Sequence, residues 1–240
     1  MADFLTDENE LETRTEISRK DQTLELFVFL FLIVPSMILS FVAVKKGTLN
    51  FGITAYATIM RDLALVGLIL YFLRRNREPV KRIGWTGKNW GKEILVGAAL
   101  FIPLFFSLPL IERIAQQLGF KAPSTPLPSF LAPRDVAQLV LAFILVVVVA
   151  MAEETMFRGY LILRFRSMAR SARAAALLSA VIFSLGHGYE GSAGVVTVGF
   201  MGFILALIYL WRRSLIAPMV MHFLQDFIGI VLVPLLGLAS

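Results

Sequence analysis

Two adjacent glutamates follow a long apolar stretch of the chain. Glu153 and Glu154 come directly after the apolar run 139–152, and Arg158 stands four residues beyond Glu154. Residues four apart on a helix share a face, so we expect Glu154 and Arg158 to form an ion pair. Glu153 is rotated by about 100° from Glu154 and has no partner on its own helix. We therefore expect Glu153 to face a cavity, where a carboxylate is suited to general-base catalysis near neutral pH.

The chain contains two histidines, and both fall in apolar stretches that we expect to form helices in the membrane. His222 lies four residues before Asp226, which can fix the tautomer of the imidazole or accept its proton. His187 lies four residues after Phe183, whose ring can wall a cavity beside it, and the flanking glycines allow close backbone approach. Together these residues provide two carboxylates and two imidazoles on three helices. General acid–base hydrolysis needs such a set of groups.

Two other interpretations of this set stay open. The polar groups can be separate buried contacts that hold helices together. Two histidines with a carboxylate are also a zinc ligand set, in which Glu153, His187 and His222 would bind the metal. The common zinc protease motif places both histidines on one helix, whereas these two are 35 residues apart. We favour a site without a cofactor, in which Glu153 polarises water, and keep a divalent metal as the alternative.

A second charged pair, Arg61–Asp62, lies in another apolar stretch. Ionisable groups at membrane depth are costly, so each of them suggests a function. We expect this pair to be an internal ion pair with a structural role. The alternative is that its helix is partly exposed to water.

The composition indicates a membrane protein built of helices. The chain has 240 residues, of which 58% are hydrophobic, too many for an ordinary soluble domain. Several uncharged stretches approach the roughly 20 apolar residues that cross a bilayer, and none alternates as barrel strands do. We predict an all-α, polytopic transmembrane bundle of about seven helices, at 26–44, 51–73, 94–112, 136–157, 174–190, 194–211 and 215–237.

The acidic residues are concentrated near the start of the chain. Residues 1–25 hold eight of the seventeen acids, and the rest of the chain carries 9 acids and 20 bases. We therefore expect an acidic cytosolic tail at 1–25 and one membrane-embedded domain at 26–240. Basic loops beside an acidic tail do not form a nucleic-acid surface, and the tail lacks the positive region of a secretory signal. The absence of cysteine excludes disulfides and cysteine-bound metals.

The basic residues predict an orientation in the cell membrane. The stretch 74–92 holds seven Lys or Arg and one acid, and the positive-inside rule places it in the cytosol. Alternation then places the N-terminal tail, 164–173 and Arg212–Arg213 there as well, with 17 basic residues cytosolic and 5 external. Lys45–Lys46 is the main exception. We expect the basic loops to contact anionic membrane lipids and the site to be reached from the cytosol.

Three motifs, in order, resemble those of a known family. "EETMFR" fits E-E-x-x-x-R, "FSLGH" fits F-x-x-x-H and "HFLQD" fits H-x-x-x-(N/D), all within 137–237. Together they resemble the type II CAAX prenyl protease and bacteriocin-processing family (CPBP, or Abi). The first 135 residues match only in being helical and apolar.

This resemblance implies an intramembrane glutamate-type endopeptidase that cuts a peptide or a lipid-modified protein. Glu153 with His187 would activate the attacking water, and His222 with Asp226 would stabilise the oxyanion of the tetrahedral intermediate. The Glu154–Arg158 pair would hold the site together. In the prenyl protease branch the substrate is a prenylated C-terminal CaaX peptide, and the cavity faces the cytosol.

Asp226 departs from the prenyl protease branch, whose last motif resembles H-x-x-x-N. An ionised aspartate accepts hydrogen bonds but cannot donate one to an oxyanion. Either Asp226 is protonated, or it orients His222 and the imidazole alone donates. The departure favours a prokaryotic member of the family in the plasma membrane. The substrate of such a member need not be prenylated.

Three other functions are weighed against the endopeptidase. A non-enzymatic immunity or scaffold protein of the same fold would not need the intact motifs. A metal-dependent protease would use the same residues. A proton-coupled transporter is disfavoured by the small number of helices and by the absence of an internal repeat.

Overall fold

The computed structural model describes residues 18–45, 49–87, 89–122, 131–169 and 171–237, and within these ranges it contains seven helices and no strand. The predicted all-α bundle is thereby confirmed. The helices are α1 (Arg19–Lys45), α2 (Phe51–Arg75), α3 (Trp90–Gln117), α4 (from Val136), α5 (Ala172–Leu185), α6 (Gly191–Arg212) and α7 (from Ile216). The last seven residues of the predicted tail are the first turns of α1, and residues 1–17 lie outside the described part.

Helices α4 and α7 each pass through a wider, π-helical stretch. The segments of α4 are Val136–Glu153, the π-helical Glu154–Leu161 and Ile162–Ala169. The segments of α7 are Ile216–Asp226, the π-helical Phe227–Leu232 and Val233–Leu235. Wider turns inside α-helices occur frequently at functional sites. Here one stretch begins at Glu154 and the other directly after Asp226.

Polar side chains begin four of the helices. These residues are Ser18, Asn50, Asp135 and Ser171, which precede α1, α2, α4 and α5. Each side-chain oxygen accepts a hydrogen bond from a backbone N–H three residues later, at 3.2, 3.0, 2.8 and 3.3 Å. Such caps satisfy backbone donors that have no partner within the helix. The start of each of these helices can therefore be predicted from the local sequence.

Six helices are long and apolar enough to cross a membrane, and they cover Arg19–Val44, Phe51–Arg75, Trp90–Gln117, Val136–Met168, Gly188–Arg212 and Ile216–Leu235. Helix α5 is the exception, because its 14 residues extend only about 21 Å, less than the ~30 Å of a hydrocarbon core. The prediction of a full span at 174–190 is therefore wrong. The α-helix ends at Leu185, and a turn follows it.

Ion pairs join helix ends at one end of the bundle, which we call the basic end. Arg164 in α4 lies 2.9 Å from Glu25 in α1 and 2.6 Å from Glu78, which follows α2. Arg212 at the end of α6 pairs with Glu93 at the start of α3. The basic stretches identified in the sequence therefore meet at this end.

The opposite end, which we call the far end, holds the other connections. It contains the end of α1, the start of α2, the end of α3, the start of α4 and the start of α6. There the backbone N–H of Ala193 donates to the carbonyl oxygen of Lys121 at 2.9 Å. Successive helices thus alternate in direction, as a multi-pass membrane protein requires.

The α2–α3 connection folds back into the basic end, and we call residues 79–87 the folded-back segment. Ile83 is fully buried, and Gly84 adopts φ +88°, a left-handed conformation that favours glycine. The Gly84 carbonyl accepts a hydrogen bond from the backbone N–H of Leu215 at 3.0 Å. A Cβ added to Gly159 would lie 2.8 Å from the Ile83 carbonyl oxygen, so this glycine permits the approach to α4.

Two apolar clusters hold the bundle together. The larger includes buried Phe29, Tyr160 and Phe183 and joins α1, α4 and α5 to α3 and α6. The smaller includes Ala55 and Val146 and joins α2, α4 and α7. Many large apolar side chains on the outside of the bundle are exposed, as expected of a surface that faces lipid.

Candidate active site

A cavity of about 670 Å³ lies among α1, α2, α4, α5 and α7, and the end of α3 and the start of α6 also line it. All four predicted catalytic residues line it, although they come from two helices and one turn. The four are Glu153, His187, His222 and Asp226. The folded chain thus brings together groups that are up to 73 positions apart in the sequence.

His222 lies between three carboxylates, and its side chain is only 2% exposed. Its Nδ1 is 2.8 Å from Oε1 of Glu154. Its Nε2 is 3.5 Å from Oδ2 of Asp226 and 3.8 Å from Oε2 of Glu153. Since a carboxylate accepts, the short contact places a proton on Nδ1, and Nε2 is the nitrogen turned toward Glu153 and Asp226.

Glu154 is fully buried, and one of its oxygens has two partners. Nη1 of Arg158 lies 2.8 Å from the same Oε1 that contacts His222. Arg158 also donates from Nη2 to the Gly202 carbonyl oxygen at 3.3 Å, and its guanidinium lies 4.3 Å from the centre of the Phe183 ring. The predicted Glu154–Arg158 pair is therefore present, and it also fixes the ring of His222.

Glu153 points into the cavity, as helical phase predicted. Its side chain is 12% exposed, and its Oε2 accepts no hydrogen bond from the described residues. Its Oε1 lies 4.0 Å from Nη2 of Arg61. The Nε2 of His222 is too far from this carboxylate for a direct hydrogen bond. Oε2 of Glu154 also accepts no hydrogen bond from the described residues, but Glu154 is fully buried and does not line the cavity. Of the two neighbouring glutamates, Glu153 is therefore the one that offers a free acceptor atom to the cavity.

His187 lies in the turn after α5, so the prediction that both histidines lie within helices is wrong for this residue. Its backbone N–H donates to the Ser184 carbonyl oxygen at 3.0 Å, a tighter turn than that of an α-helix. Its Nδ1 is 3.1 Å from the Phe183 carbonyl oxygen, which can only accept. In the neutral ring the proton is therefore on Nδ1, and Nε2 is an acceptor.

Phe183 lies between the two imidazoles, although its spacing predicted only the contact with His187. Its ring centre lies 4.8 Å from that of His187 and 5.8 Å from that of His222. It also packs edge-on against Phe157 at 5.1 Å. The ring forms an apolar wall that holds both histidines in place.

The structure brings Arg61 into the site, which sequence reasoning had left outside it. Arg61 lines the cavity, and its Nε donates to Oδ1 of Asp62 at 2.8 Å. The side chain of Asp62 is fully buried. The predicted ion pair is therefore present, and its cation also faces Glu153. A cation in an apolar helix was the signal that could have assigned Arg61 to the site.

Four further lining residues carried no recognisable signal in the sequence. They are Glu112, Tyr189, Glu190 and Gln225. Glu112 lies near the end of α3, and Glu190 lies in the short 3₁₀ helix Gly188–Glu190. None of them occupies a defining position of the three motifs, and only the fold places them at the cavity.

The cavity extends toward the far end of the bundle. Leu49, Ala122 and Leu131 line it there, and Ala122 is exposed. Among the described lining residues, none comes from the basic stretches 74–92 and 164–173. The expectation that the site opens at the end carrying the basic loops is therefore wrong.

Helix α4 continues through the site instead of ending at Arg158. Its apolar span covers Val136–Met168, with Glu153 near the middle. The predicted helix 136–157 is therefore too short at its end.

The alternative metal ligands, Glu153, His187 and His222, line one cavity. In the described part of the chain, no three His, Asp or Glu side chains are grouped so that they could hold a metal ion together. The expectation that the site works without a metal, with a divalent metal as the alternative, stays a prediction.

In a comparison with known protein families, residues 135–228 match the family described as type II CAAX prenyl endopeptidase Rce1-like. The match runs from the cap of α4 into the π-helical stretch of α7 and contains all three motifs. No curated protein and no solved structure matches the chain significantly. The predicted resemblance is thereby confirmed for this part of the chain. Together with the six apolar helices, it supports a multi-pass membrane protein that acts as a peptidase.

Proposed function

We propose that the protein is an intramembrane glutamate-type endopeptidase that hydrolyses a peptide bond in a membrane-associated peptide or lipid-modified protein. One observation carries the proposal: Glu153, His187, His222 and Asp226 line a single cavity. Such a cavity supplies a general base, a second proton acceptor and a hydrogen-bond donor around one reacting carbonyl group.

In this proposal Glu153 activates the attacking water. Its Oε2 accepts no hydrogen bond from the described residues, so it can accept one from water. The unprotonated Nε2 of a neutral His187 would accept a second hydrogen bond from the same water and orient it. As the water oxygen bonds to the carbonyl carbon, its proton passes to Glu153, which then delivers it to the departing amine.

His222 stabilises the negative oxygen of the tetrahedral intermediate. Its Nδ1–H is directed at Glu154, so donation to the oxyanion comes from Nε2. In this role the ring carries a proton on each nitrogen. Asp226, 3.5 Å from Nε2, orients the imidazole, and the proposal gives the donation to His222 alone.

Turnover by the purified protein tests the proposal. We would offer prenylated CaaX peptides and apolar leader-type peptides in proteoliposomes and follow the products by mass spectrometry. The His187→Ala and His222→Ala variants should lose about 10²-fold or more of the rate, as is usual for general acid–base groups and oxyanion donors. Asp135→Asn is the control, because asparagine caps α4 as well as aspartate does. Undiminished cutting by both histidine variants would remove the assignment.

The site is proposed to work without a metal, with a metal-dependent protease as the alternative. Dialysis against a chelator should leave turnover unchanged. Loss of turnover, with recovery on adding Zn²⁺ or Mn²⁺, would favour the metal-dependent mechanism instead. If the histidine variants keep the phenotype of the parent in cells, the immunity or scaffold function is favoured.

A further inference from the structure

The cavity extends in one direction only. Most of the described lining residues lie between the catalytic groups and the far end, and the others, such as Met156, Phe157 and Phe183, lie directly beside those groups. The residues farthest from the catalytic groups are Val44, Leu49, Glu112, Ala122, Leu131 and Gly194. They belong to the ends of α1 and α3, the start of α6, and the connections between helices at that end.

The folded-back segment closes the other direction. The Nε1–H of Trp85 donates to Oγ1 of Thr155 at 3.1 Å, directly beside Glu154 on α4. Ile83 is fully buried against Gly159, one turn further along α4. Gly84 bonds to the backbone at the start of α7. The segment thus packs between the π-helical stretch of α4 and the basic end.

The charge distribution identifies the two sides of the membrane. Of the Lys and Arg residues in the described ranges, 13 belong to segments at the basic end and four to segments near the far end, with Arg61 and Arg158 between them. The positive-inside rule places the basic end in the cytosol, and the far end then faces away from the cytosol.

We infer that the site is reached from the extracytoplasmic side and that its substrate is an apolar polypeptide segment presented there. This inference rests on the proposed function and names the substrate class of the same site. Apolar side chains such as Ile33, Met37 and Val149 line much of the passage. A prenylated tail at the cytosolic face would have to pass the folded-back segment.

Cysteine accessibility tests the side of access without using activity. The chain has no cysteine, so single-cysteine variants need no altered background. We would introduce Ala122→Cys at the far end, Thr58→Cys inside the cavity, and Gly87→Cys at the basic end. No atom lies within 4 Å of a Cβ added to Gly87. Each variant would be treated in intact cells with a charged maleimide that does not cross membranes.

The inference predicts that Ala122→Cys and Thr58→Cys react in intact cells, whereas Gly87→Cys reacts only after permeabilisation. The reverse pattern would overturn it, and so would a Thr58→Cys variant that reacts only from the Gly87 side or from neither side. Total labelling in denaturant gives the amount of protein present. These outcomes do not depend on catalysis, so they are distinct from a failure of the proposed function.

Blocking the passage tests the route of the substrate. A bulky maleimide on Ala122→Cys should lower the turnover of a quenched-fluorescence apolar peptide at least tenfold, and the same label on Gly87→Cys should not. Unchanged turnover by labelled Ala122→Cys would overturn the route. Absence of turnover before labelling would count against the proposed function instead.

Discussion

At the scale of single residues, the two adjacent glutamates differ in what surrounds them. Glu154 is buried, and its Oε1 contacts both Arg158 and His222 at 2.8 Å. Glu153 faces the cavity, and its Oε2 accepts no hydrogen bond from the described side chains or backbone. One glutamate therefore holds the site together, and the other is free to react.

This difference predicts different results for the same substitution. Glu154→Gln leaves the buried Arg158 without its counter-charge, which should destabilise the protein by about 3–5 kcal/mol. Glu153→Gln should leave stability within about 1 kcal/mol of the parent, since the side chain has no strong partner. Thermal unfolding in detergent compares the two variants. An equal loss of stability in both would contradict the different roles of the two glutamates.

Arg61 is expected to act as a positioning residue for Glu153. Its Nη2 lies 4.0 Å from the carboxylate, and Asp62 holds the guanidinium in place. Arg61→Met should lower kcat about tenfold, equivalent to about 1.4 kcal/mol, with a small change in KM. Arg61→Lys should recover most of the lost kcat, and its rate should depend on pH as that of the parent does. If Met and Lys have the same effect, the charge of Arg61 does not position Glu153.

Asp226 is expected to orient His222 by accepting a hydrogen bond from the protonated Nε2 of the imidazole. Asparagine keeps an acceptor oxygen in the same place, so Asp226→Asn should stay within a few-fold of the parent rate. Asp226→Ala removes the acceptor and should lower the rate at least tenfold, or about 1.4 kcal/mol. Steady-state kinetics on one peptide compares the two variants. Equal rates for Ala and Asn would remove this role.

At the scale of elements, local sequence predicts where several helices begin but not how the site is shaped. The Asn, Asp and Ser caps of α2, α4 and α5 are readable because a cap is a local contact. The π-helical stretches of α4 and α7 were not predicted, since the apolar residues there fit an ordinary helix equally well. The end of α5 before His187 was not predicted. Glycines flank His187, but glycines also occur inside membrane helices and so do not mark an end.

The folded-back segment packs closely on α4, and this contact predicts how a substitution at Gly159 changes stability. A Cβ on Gly159 would lie 2.8 Å from the carbonyl oxygen of Ile83, so Gly159→Ala should destabilise the protein by about 1–3 kcal/mol. Gly67→Ala is the matched control, because no atom lies within 4 Å of its added Cβ and alanine favours a helix. Thermal unfolding in detergent checks both. The packing is contradicted if both variants are as stable as the parent.

At the scale of the whole molecule, composition was enough to predict an all-α membrane bundle, because long apolar stretches can only form helices in lipid. The motifs predicted the residues that meet in the cavity. The direction of the cavity was not predictable, since it depends on how residues 79–87 fold back against Thr155 and Gly159. Those contacts join parts of the chain about 70 positions apart, and no local pattern marks them.

The single-turnover rate of Glu153→Gln, compared with the parent on one saturating peptide, tests the central claim most directly. If Glu153 removes the proton from the attacking water, the rate should fall by about 10²-fold or more while thermal stability and peptide binding stay unchanged. A Glu153→Gln variant that cuts as fast as the parent would contradict the account, because glutamine cannot accept that proton.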